Sequence, residues 1–338
     1  MTVRLPGSIQ RITEHGAFGV QLFFVMSAFT LAMSLHGRAG EPLRNFFIRR
    51  FFRIAPMYYC ALFYYLCQDG LGARYWLGGA ARVSIANIAS TVFFVNGFNS
   101  QWINSTVPGG WSIAVEMNFY VMLPLLMTFA SSAGRACKLF FAVTAFSVIA
   151  CTLLWFHGPI GDPHLWSEYL YFFLPSQLPI FCLGIVLYYC VRARQDREAA
   201  AIPLLAIAAL VVVDQHTTMR IPEHIAFAAG FACVAYCLSI YPTKILVNRW
   251  TVLTGKLSFS LYLIHFAVLH FAASFFVRPI FPIATADLVL KFAGCVCVST
   301  LVAYCTYRVV ELPGQALGAA IISRLSQPQP VLTTAADA

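Results

Sequence analysis

The chain has 338 residues, of which 60% are apolar and only 10% are charged, and its mean hydropathy is +0.75. An average globular chain is about 45–50% apolar and about 25% charged, so the composition excludes a soluble fold and a disordered chain. Long apolar runs recur along the sequence, which predicts an all-α, polytopic bundle of transmembrane helices. The net charge of +9 does not indicate nucleic-acid binding, because the basic residues lie in short loops, where they orient a membrane protein.

Nine apolar runs are predicted to cross the membrane. In chain order they are residues 17–35, 51–67, 111–133, 138–157, 169–191, 199–214, 222–240, 252–275 and 287–309. A tenth run, 84–99, is short and contains three asparagines. If it does not cross, fifteen of the 22 Lys and Arg residues lie on the cytoplasmic side; if it crosses, only eight do. The positive-inside rule therefore predicts nine crossings, a re-entrant or interfacial segment at 84–110 and a cytoplasmic C-terminus.

The eleven cysteines lie in or beside apolar runs and form no CxxC pair and no Cys/His cluster. Free cysteine commonly behaves as a small apolar residue on a packed face. The sequence therefore predicts neither a disulfide nor a metal site.

One acidic residue lies well inside a predicted span. Glu116 is about 7–8 Å below the outer end of its helix, and Ser112 and Tyr120 lie one turn away on either side. An ionisable residue at membrane depth costs several kcal/mol and indicates a functional site. The alternative is a structural carboxylate that pairs with a neighbouring helix.

A polar stripe in a later span contains a histidine. Ser258, Tyr262 and His265 follow the spacing i, i+4, i+7, which places them on one helix face. His265 is predicted to lie roughly 15 Å from the outer end of its helix. A lone histidine at this depth can instead serve only as a hydrogen-bond partner between helices.

Two arginines precede the second span. Arg50 and Arg53 are three residues apart, and therefore lie on one helix face at a predicted cytoplasmic mouth. Paired guanidinium groups suit a ligand with several phosphates. Arginines in this position can also do no more than fix the topology.

These constellations, in this order, resemble the acyltransferase-3 family of bacterial integral-membrane O-acyltransferases. The matching stretches are GVQLFFVMSAFT at 19–30, IRRFFRIAP at 48–56, PGGWSIAVEMNFY at 108–120, QLPIFCLG at 177–184, LSFSLYLIH at 257–265 and ELP at 311–313. On this resemblance residues 1–16 are a short polar segment, residues 17–313 are the acyltransferase-like membrane domain, and residues 314–338 are an amphipathic end with a disordered cytoplasmic tail.

The resemblance implies transfer of an acyl group, usually acetyl, from cytoplasmic acyl-CoA to a hydroxyl of a carbohydrate or glycolipid outside the bacterial inner membrane. Acyl-CoA is then a co-substrate, and no permanently bound cofactor is expected. The Arg-x-x-Arg motif of the family falls on Arg50 and Arg53, which we assign to the phosphates of CoA. Its Trp-Ser-x-x-x-Glu motif falls on Trp111, Ser112 and Glu116.

Family members begin with one more span, which carries an arginine and a histidine separated by about ten residues. Arg4 and His15 have this spacing here, but the residues between them, LPGSIQRITE, are too polar to cross a bilayer. The sequence therefore predicts a chain that lacks the first helix of the family.

Acyl transfer to a sugar hydroxyl needs a base, donors for the developing oxyanion and an anchor for the anionic donor. We predict that Glu116 and His265 face each other across one chamber as base and base-orienter. Trp111, Ser112, Tyr120, Ser258 and Tyr262 are the predicted supporting residues. The alternatives are a transporter or flippase for a lipid-linked or acylated sugar, which would also carry intramembrane Glu and His, and an inactive relative.

Overall fold

The computed structural model describes residues 15–72, 82–158, 161–193, 222–277 and 284–326. These residues form helices and connecting turns, and no β-strand occurs among them. The α-helices are α1 (Gly19–Gly37), α2 (Leu43–Asp69), α3 (Ile85–Val92), α4 (Gly110–Phe129), α5 (Ala133–Trp155), α6 (Pro163–Phe172), α7 (Leu174–Arg192), α8 (Glu223–Ile240), α9 (Arg249–Val277), α10 (Ala284–Thr306) and α11 (Leu312–Ser326). Short 3₁₀-helices lie at His15–Phe18 and Asn96–Phe98, and a π-helical turn at Tyr307–Glu311.

Seven helical segments of the described residues are long and apolar enough to cross a membrane. They are Gly19–Gly37, Gly110–Phe129, Ala133–Trp155, Pro163–Arg192, Glu223–Ile240, Arg249–Ala273 and Ala286–Ser326. Each overlaps one of the nine predicted runs, which confirms an all-α, multi-pass membrane protein. The run 51–67 lies in α2, which is too polar to be among the seven. The run 199–214, the N-terminal residues with Arg4, and the predicted tail from 327 lie outside the described residues.

Helix α7 lies at the centre of the bundle. Every residue from Ser176 to Cys190 is buried, as expected for a helix that is apolar on all sides. It packs most extensively against α1 and α5, and also against α8. The close approach of α1 depends on Gly184, because a Cβ at that position would lie 2.3 Å from the carbonyl oxygen of Val25.

The segment predicted to be re-entrant or interfacial contains no helix long enough to cross. Helix α3 has eight residues and is therefore about 12 Å long, against a hydrocarbon core of about 30 Å. Two of its polar side chains are hydrogen-bonded inside the protein: Asn87 donates to Ser105 at 2.6 Å, and Thr91 bonds Thr106 at 3.0 Å. Irregular backbone at membrane depth requires such cover.

The π-helical turn Tyr307–Glu311 joins α10 to α11, which packs against α2. Gly314 and Gly318 allow this packing, since a Cβ at Gly314 would lie 2.7 Å from Pro56 and one at Gly318 would lie 2.8 Å from Phe52. The contact holds the arginine-bearing start of α2 in place.

Candidate functional site

Three neighbouring cavities lie in a row along α1, and all the predicted site residues except Ser112 line them. The basic cavity, about 1000 Å³, is lined by Arg38, Glu41, Asn45, Arg49, Arg50 and Arg53. The central cavity, about 460 Å³, is lined by Ser27, Arg50, Arg53, Glu116, Tyr120 and Ser258. The aromatic cavity, about 800 Å³, is lined by Gln68, Asn104, Trp111, Phe172, Tyr262 and His265. The predicted residue Ser112 lies one position beyond Trp111 and bonds Tyr262.

The cavities share wall residues. Arg50 and Arg53 line both the basic and the central cavity, and Gly19 lines both the central and the aromatic cavity. Gly19 and Arg38 mark the two ends of α1, which are about 28 Å apart at 1.5 Å per residue. The row of cavities therefore extends alongside the whole length of α1, with the arginines at one end and the aromatic side chains at the other.

Glu116 is buried in α4, and two hydroxyls hold one of its carboxylate oxygens. Oε1 accepts hydrogen bonds from Ser27 of α1 at 2.6 Å and from Tyr120 at 2.5 Å. Oε2 is buried and has no hydrogen-bond partner among the described residues. Because buried polar atoms are nearly always paired, a purely structural role accounts for Oε1 but not for Oε2. The free oxygen can accept a hydrogen bond from a ligand in the central cavity.

Arg50 and Arg53 form the boundary between the basic and the central cavity. The guanidinium of Arg50 lies 5.8 Å from the ring centroid of Phe46, and its Nε is buried without a hydrogen-bond partner among the described residues. Within the described part of the chain, neither arginine has a carboxylate within salt-bridge distance. Both interact electrostatically with Glu116 from a greater distance. The two cations can therefore bind an anion that enters from the basic cavity.

Glu41 neutralises part of the basic cavity. Its Oε2 lies 2.8 Å from Arg49, and its Oε1 lies 3.9 Å from Arg38. The hydrogen bond from Arg49 lowers the pKa of Glu41 below its ordinary value. Arg49 is thus paired within the protein, whereas Arg50 and Arg53 face the cavities.

Tyr262 and Ser112 join α9 to the start of α4. The hydroxyl of Tyr262 donates to the carbonyl oxygen of Gly109 at 2.9 Å, and Ser112 Oγ lies 3.0 Å from both the Tyr262 hydroxyl and that carbonyl oxygen. Gly109 has φ +71°, and a Cβ there would lie 2.4 Å from the Tyr262 hydroxyl. Glycine is therefore required both for the left-handed backbone and for the close approach of the phenol.

His265 is half-buried and lines the aromatic cavity. Its Nδ1 lies 3.2 Å from the carbonyl oxygen of Leu261, and a carbonyl oxygen can only accept. This contact favours the neutral tautomer with the proton on Nδ1, which leaves the lone pair of Nε2 available. The ring also packs against Phe266, with centroids 3.9 Å apart. A neutral imidazole held in this way can accept a proton.

The structure does not bring Glu116 and His265 into one chamber. Glu116 lines the central cavity and His265 lines the aromatic cavity, so the prediction that the two residues face each other across one chamber is wrong. The reason is the relative direction of the helices. Both helices can be followed from the contact between Ser112 and Tyr262. From there α4 runs towards the arginines and carries Glu116 with it, while α9 runs away from them and carries His265. Glu116 and His265 are therefore about 10 Å apart along the helix axes. The predicted stripe is divided in the same way, with Ser258 in the central cavity.

Several buried or cavity-lining residues were not predicted. Glu311 follows the last predicted span, 287–309, and lines none of the three cavities, yet it is 3% exposed and accepts a hydrogen bond from the buried hydroxyl of Ser260. The π-helical turn brings it inside the bundle. Gln68 and Asn104 line the aromatic cavity, and neither carries a motif that could have singled it out. For Ser27, the only signal was its position in the matched stretch at 19–30.

A further large groove, about 1000 Å³, lies between α2, α9 and α10. Its described wall is almost entirely apolar, with Lys291 as its charged residue, and Lys291 lies 2.5 Å from Asp287. None of the predicted site residues lines it. The predicted site residues are therefore concentrated in and beside the row of three cavities.

Comparison with known proteins gives the family. A model of the acyltransferase domain matches residues 2–308, nearly the whole chain. The chain belongs to the acyltransferase-domain family. A provisionally named O-acetyltransferase from Staphylococcus aureus strain COL is 22% identical over 329 residues, covering 88% of this chain and 52% of that protein. The O-acetyltransferase OatA of S. aureus strain NCTC 8325 is 22% identical over 338 residues, with the same coverage.

A provisionally named membrane-bound transacylase, BcsY of Komagataeibacter xylinus, is 24% identical over 267 residues, covering 75% of this chain and 66% of that protein. The chain spans about half the length of the S. aureus relatives that it matches. No solved structure matches the chain significantly.

Proposed function

We propose that this protein is a membrane O-acyltransferase that moves an acyl group, acetyl in the simplest case, from cytoplasmic acyl-CoA to a hydroxyl of a carbohydrate on the opposite side of the bacterial inner membrane. The observation that carries the proposal is the row of cavities. Near one end it has two arginines without a salt-bridge partner among the described residues, and at the other it has a histidine among aromatic side chains. The family and the names of the relatives support the class of reaction.

The donor enters from the basic cavity. Arg50 and Arg53 bind its phosphates through charge-assisted hydrogen bonds, while its pantetheine arm extends into the central cavity. That cavity is narrow and long, since its wall follows α1 from Thr30 to Gly19, about 16 Å along the axis. The thioester then lies near Gly19, where the central and aromatic cavities meet.

The acceptor binds in the aromatic cavity and presents one hydroxyl to the thioester. The hydroxyl oxygen attacks the carbonyl carbon, the C–O bond forms, and the C–S bond breaks. His265 Nε2 takes the hydroxyl proton, and the departing thiolate of CoA is protonated in turn. Glu116, held by Ser27 and Tyr120, offers Oε2 to a donor group of the bound substrates and balances the charge of Arg50 and Arg53.

The orientation follows from the positive-inside rule, which places the arginine end of the row and the C-terminus in the cytoplasm. A reporter enzyme that is active only outside the cytoplasm, fused after Ala338, tests this part of the proposal. We expect no reporter activity. Full activity would place the basic cavity outside, where acyl-CoA is absent.

Mass spectrometry of surface glycans from cells with and without the gene tests the function. Loss of an acyl mass on deletion supports the transferase. An unmodified glycan that accumulates inside the cell supports the transporter instead. Membrane vesicles supplied with radiolabelled acetyl-CoA then test whether the donor is acyl-CoA, since labelled glycan requires transfer from the added thioester.

A further inference from the structure

The aromatic cavity contains two hydrogen-bond acceptors without partners. Gln68 Oε1 and Asn104 Oδ1 are buried atoms that accept no hydrogen bond from the described residues, and both side chains line this cavity. Gln68 lies at the end of α2, and Asn104 lies in the turn before α4. A buried carbonyl oxygen without a hydrogen-bond donor is destabilising, so these atoms indicate a ligand that brings hydrogen-bond donors.

The orientation of the Gln68 amide is fixed by its neighbour. Its Nε2 donates to the carboxylate of Asp69 at 3.0 Å, and a carboxylate can only accept. The NH₂ group must therefore face Asp69, which leaves the carbonyl oxygen as the free group of the side chain. The group without a partner on this cavity-lining side chain is therefore an acceptor and not a donor.

Aromatic side chains also line this cavity. Trp111 and Phe172 are stacked with centroids 4.5 Å apart, and Tyr171 and Phe266 also line the cavity. The faces of aromatic rings carry partial negative charge, and the C–H groups on one face of a sugar ring carry partial positive charge. A wall of this kind binds a flat, C–H-rich face, while the amides bind hydroxyl groups at the edge of the ring.

The wall of the aromatic cavity contains no Lys, Arg, Asp or Glu among the described residues. Its ionisable members are His265, His270, Tyr171 and Tyr262. An anionic ring would therefore be taken out of water without a fixed counter-charge, which is costly. An uncharged ring meets no such penalty.

We propose that the aromatic cavity binds an uncharged pyranose ring, with Gln68 Oε1 and Asn104 Oδ1 accepting hydrogen bonds from its hydroxyl or amide groups. The proposal rests on the proposed function and narrows its acceptor: the acylated residue of the glycan is a neutral sugar, not a uronic acid or a phosphorylated sugar. Gln68 and Asn104 hold the ring, and the described wall, which carries no Lys, Arg, Asp or Glu, selects it against an anionic sugar.

Direct binding tests the proposal without catalysis. The full chain in lipid nanodiscs is titrated with the methyl β-glycosides of glucose, galactose and N-acetylglucosamine, and with methyl β-D-glucuronide, by saturation-transfer NMR. We expect at least one uncharged glycoside to bind at least about ten-fold more tightly than the glucuronide, the penalty of a buried, unpaired charge. This comparison uses the unaltered chain, so it does not depend on the folding of a variant.

A double variant, Gln68→Leu with Asn104→Leu, removes both acceptors at nearly constant size. We expect it to weaken binding of the preferred glycoside at least ten-fold. Gln101→Leu is the matched control, since Gln101 is exposed in the same segment and does not line the cavity; it should bind as the unaltered chain does.

The outcomes separate the two proposals. Equal binding of glucuronide and neutral glycosides, unchanged binding by the double variant, or no binding of any uncharged glycoside overturns this inference. Selective glycoside binding together with no transfer of acetyl from acetyl-CoA contradicts the proposed function and leaves the sugar site in place.

Discussion

Ser112 and Tyr262, 150 positions apart in the sequence, meet with their hydroxyl oxygens 3.0 Å from one another. Both also bond the carbonyl oxygen of Gly109. The contact fixes the start of α4 against the middle of α9, and it therefore sets how far Glu116 and His265 lie along the row of cavities. Each hydroxyl proton is already donated within this contact, so neither group has a proton left to donate to substrate, and the two residues position the site.

The Gly109→Ala variant is expected to be destabilised. Alanine at φ +71° costs about 1–2 kcal/mol, and its Cβ would collide with the Tyr262 hydroxyl. We expect a total loss above about 2 kcal/mol, measured as a lower apparent unfolding temperature in detergent.

Gly40→Ala separates the two causes. Gly40 also has a positive φ, +101°, but a Cβ there meets no atom within 4 Å. It should show the backbone penalty alone. Equal destabilisation of the two variants would argue that the phenol moves aside without cost.

Replacement of the two candidate catalytic residues should reduce turnover. We expect Glu116→Gln and His265→Ala each to lower kcat about 10²–10⁴-fold with normal expression. The assay is transfer of labelled acetyl from acetyl-CoA to glycan in membrane vesicles. Glu223→Gln and His164→Asn are matched controls, since both side chains lie on the surface of the described structure. Normal O-acetylation in both site variants would remove these residues from the mechanism.

The arginine pair should act on the donor and not on the acceptor. Each charge-assisted hydrogen bond is worth about 1.5–3 kcal/mol, so Arg50→Ala combined with Arg53→Ala should raise the KM for acetyl-CoA at least about ten-fold. The KM for the acceptor should stay within about three-fold. Arg135→Ala, at an exposed site on α5, serves as the control for loss of positive charge. If the KM for acetyl-CoA is unchanged in the double variant, Arg50 and Arg53 serve only to fix the membrane topology.

Glu41 should oppose donor binding. The Glu41→Gln variant removes a negative charge from the basic cavity and frees Arg49, and an exposed ion pair contributes only modestly to binding. We therefore expect the KM for acetyl-CoA to fall by up to about five-fold.

The pH dependence of that effect follows from the lowered pKa of Glu41. Because its pKa is lowered, the Glu41 carboxylate stays ionised until the pH falls through that lowered pKa. Only below it would the neutral, protonated Glu41 resemble the glutamine variant. Between about pH 6 and 8 the ratio of the two KM values should therefore stay constant. A ratio that drifts towards one as the pH falls from 8 to 6 would mean that Glu41 titrates in that range.

The sequence predicted the helices well, because long apolar runs have few alternatives in a membrane. It also predicted that Glu116 is buried, since a lone acid within an apolar run must be covered by protein. Glu311 was missed because a carboxylate next to Leu312 and Pro313 resembles a helix end; only the π-helical turn brings it inside.

The arrangement of the site was harder to predict than its members. Periodicity gives the face on which a residue lies, but not how far one helix is shifted along another. The separation of Glu116 from His265 depends on the depth at which Tyr262 meets Gly109, which is a tertiary contact. Gln68 and Asn104 were missed for a different reason, since an amide at the end of a helix or in a turn has no distinguishing pattern.

The points at which neighbouring cavities share wall residues have a consequence for the cell if the protein lies in the inner membrane, as we propose. A bilayer that stores energy as a proton gradient cannot tolerate a continuous file of water, since each unit charge gains about 2.3 kcal/mol per 100 mV on crossing. Position 19 at one such point, and positions 50 and 53 at the other, must keep the passage sealed whenever no substrate fills it. The need to prevent proton leakage therefore limits which side chains can occupy these three positions, independently of their role in catalysis.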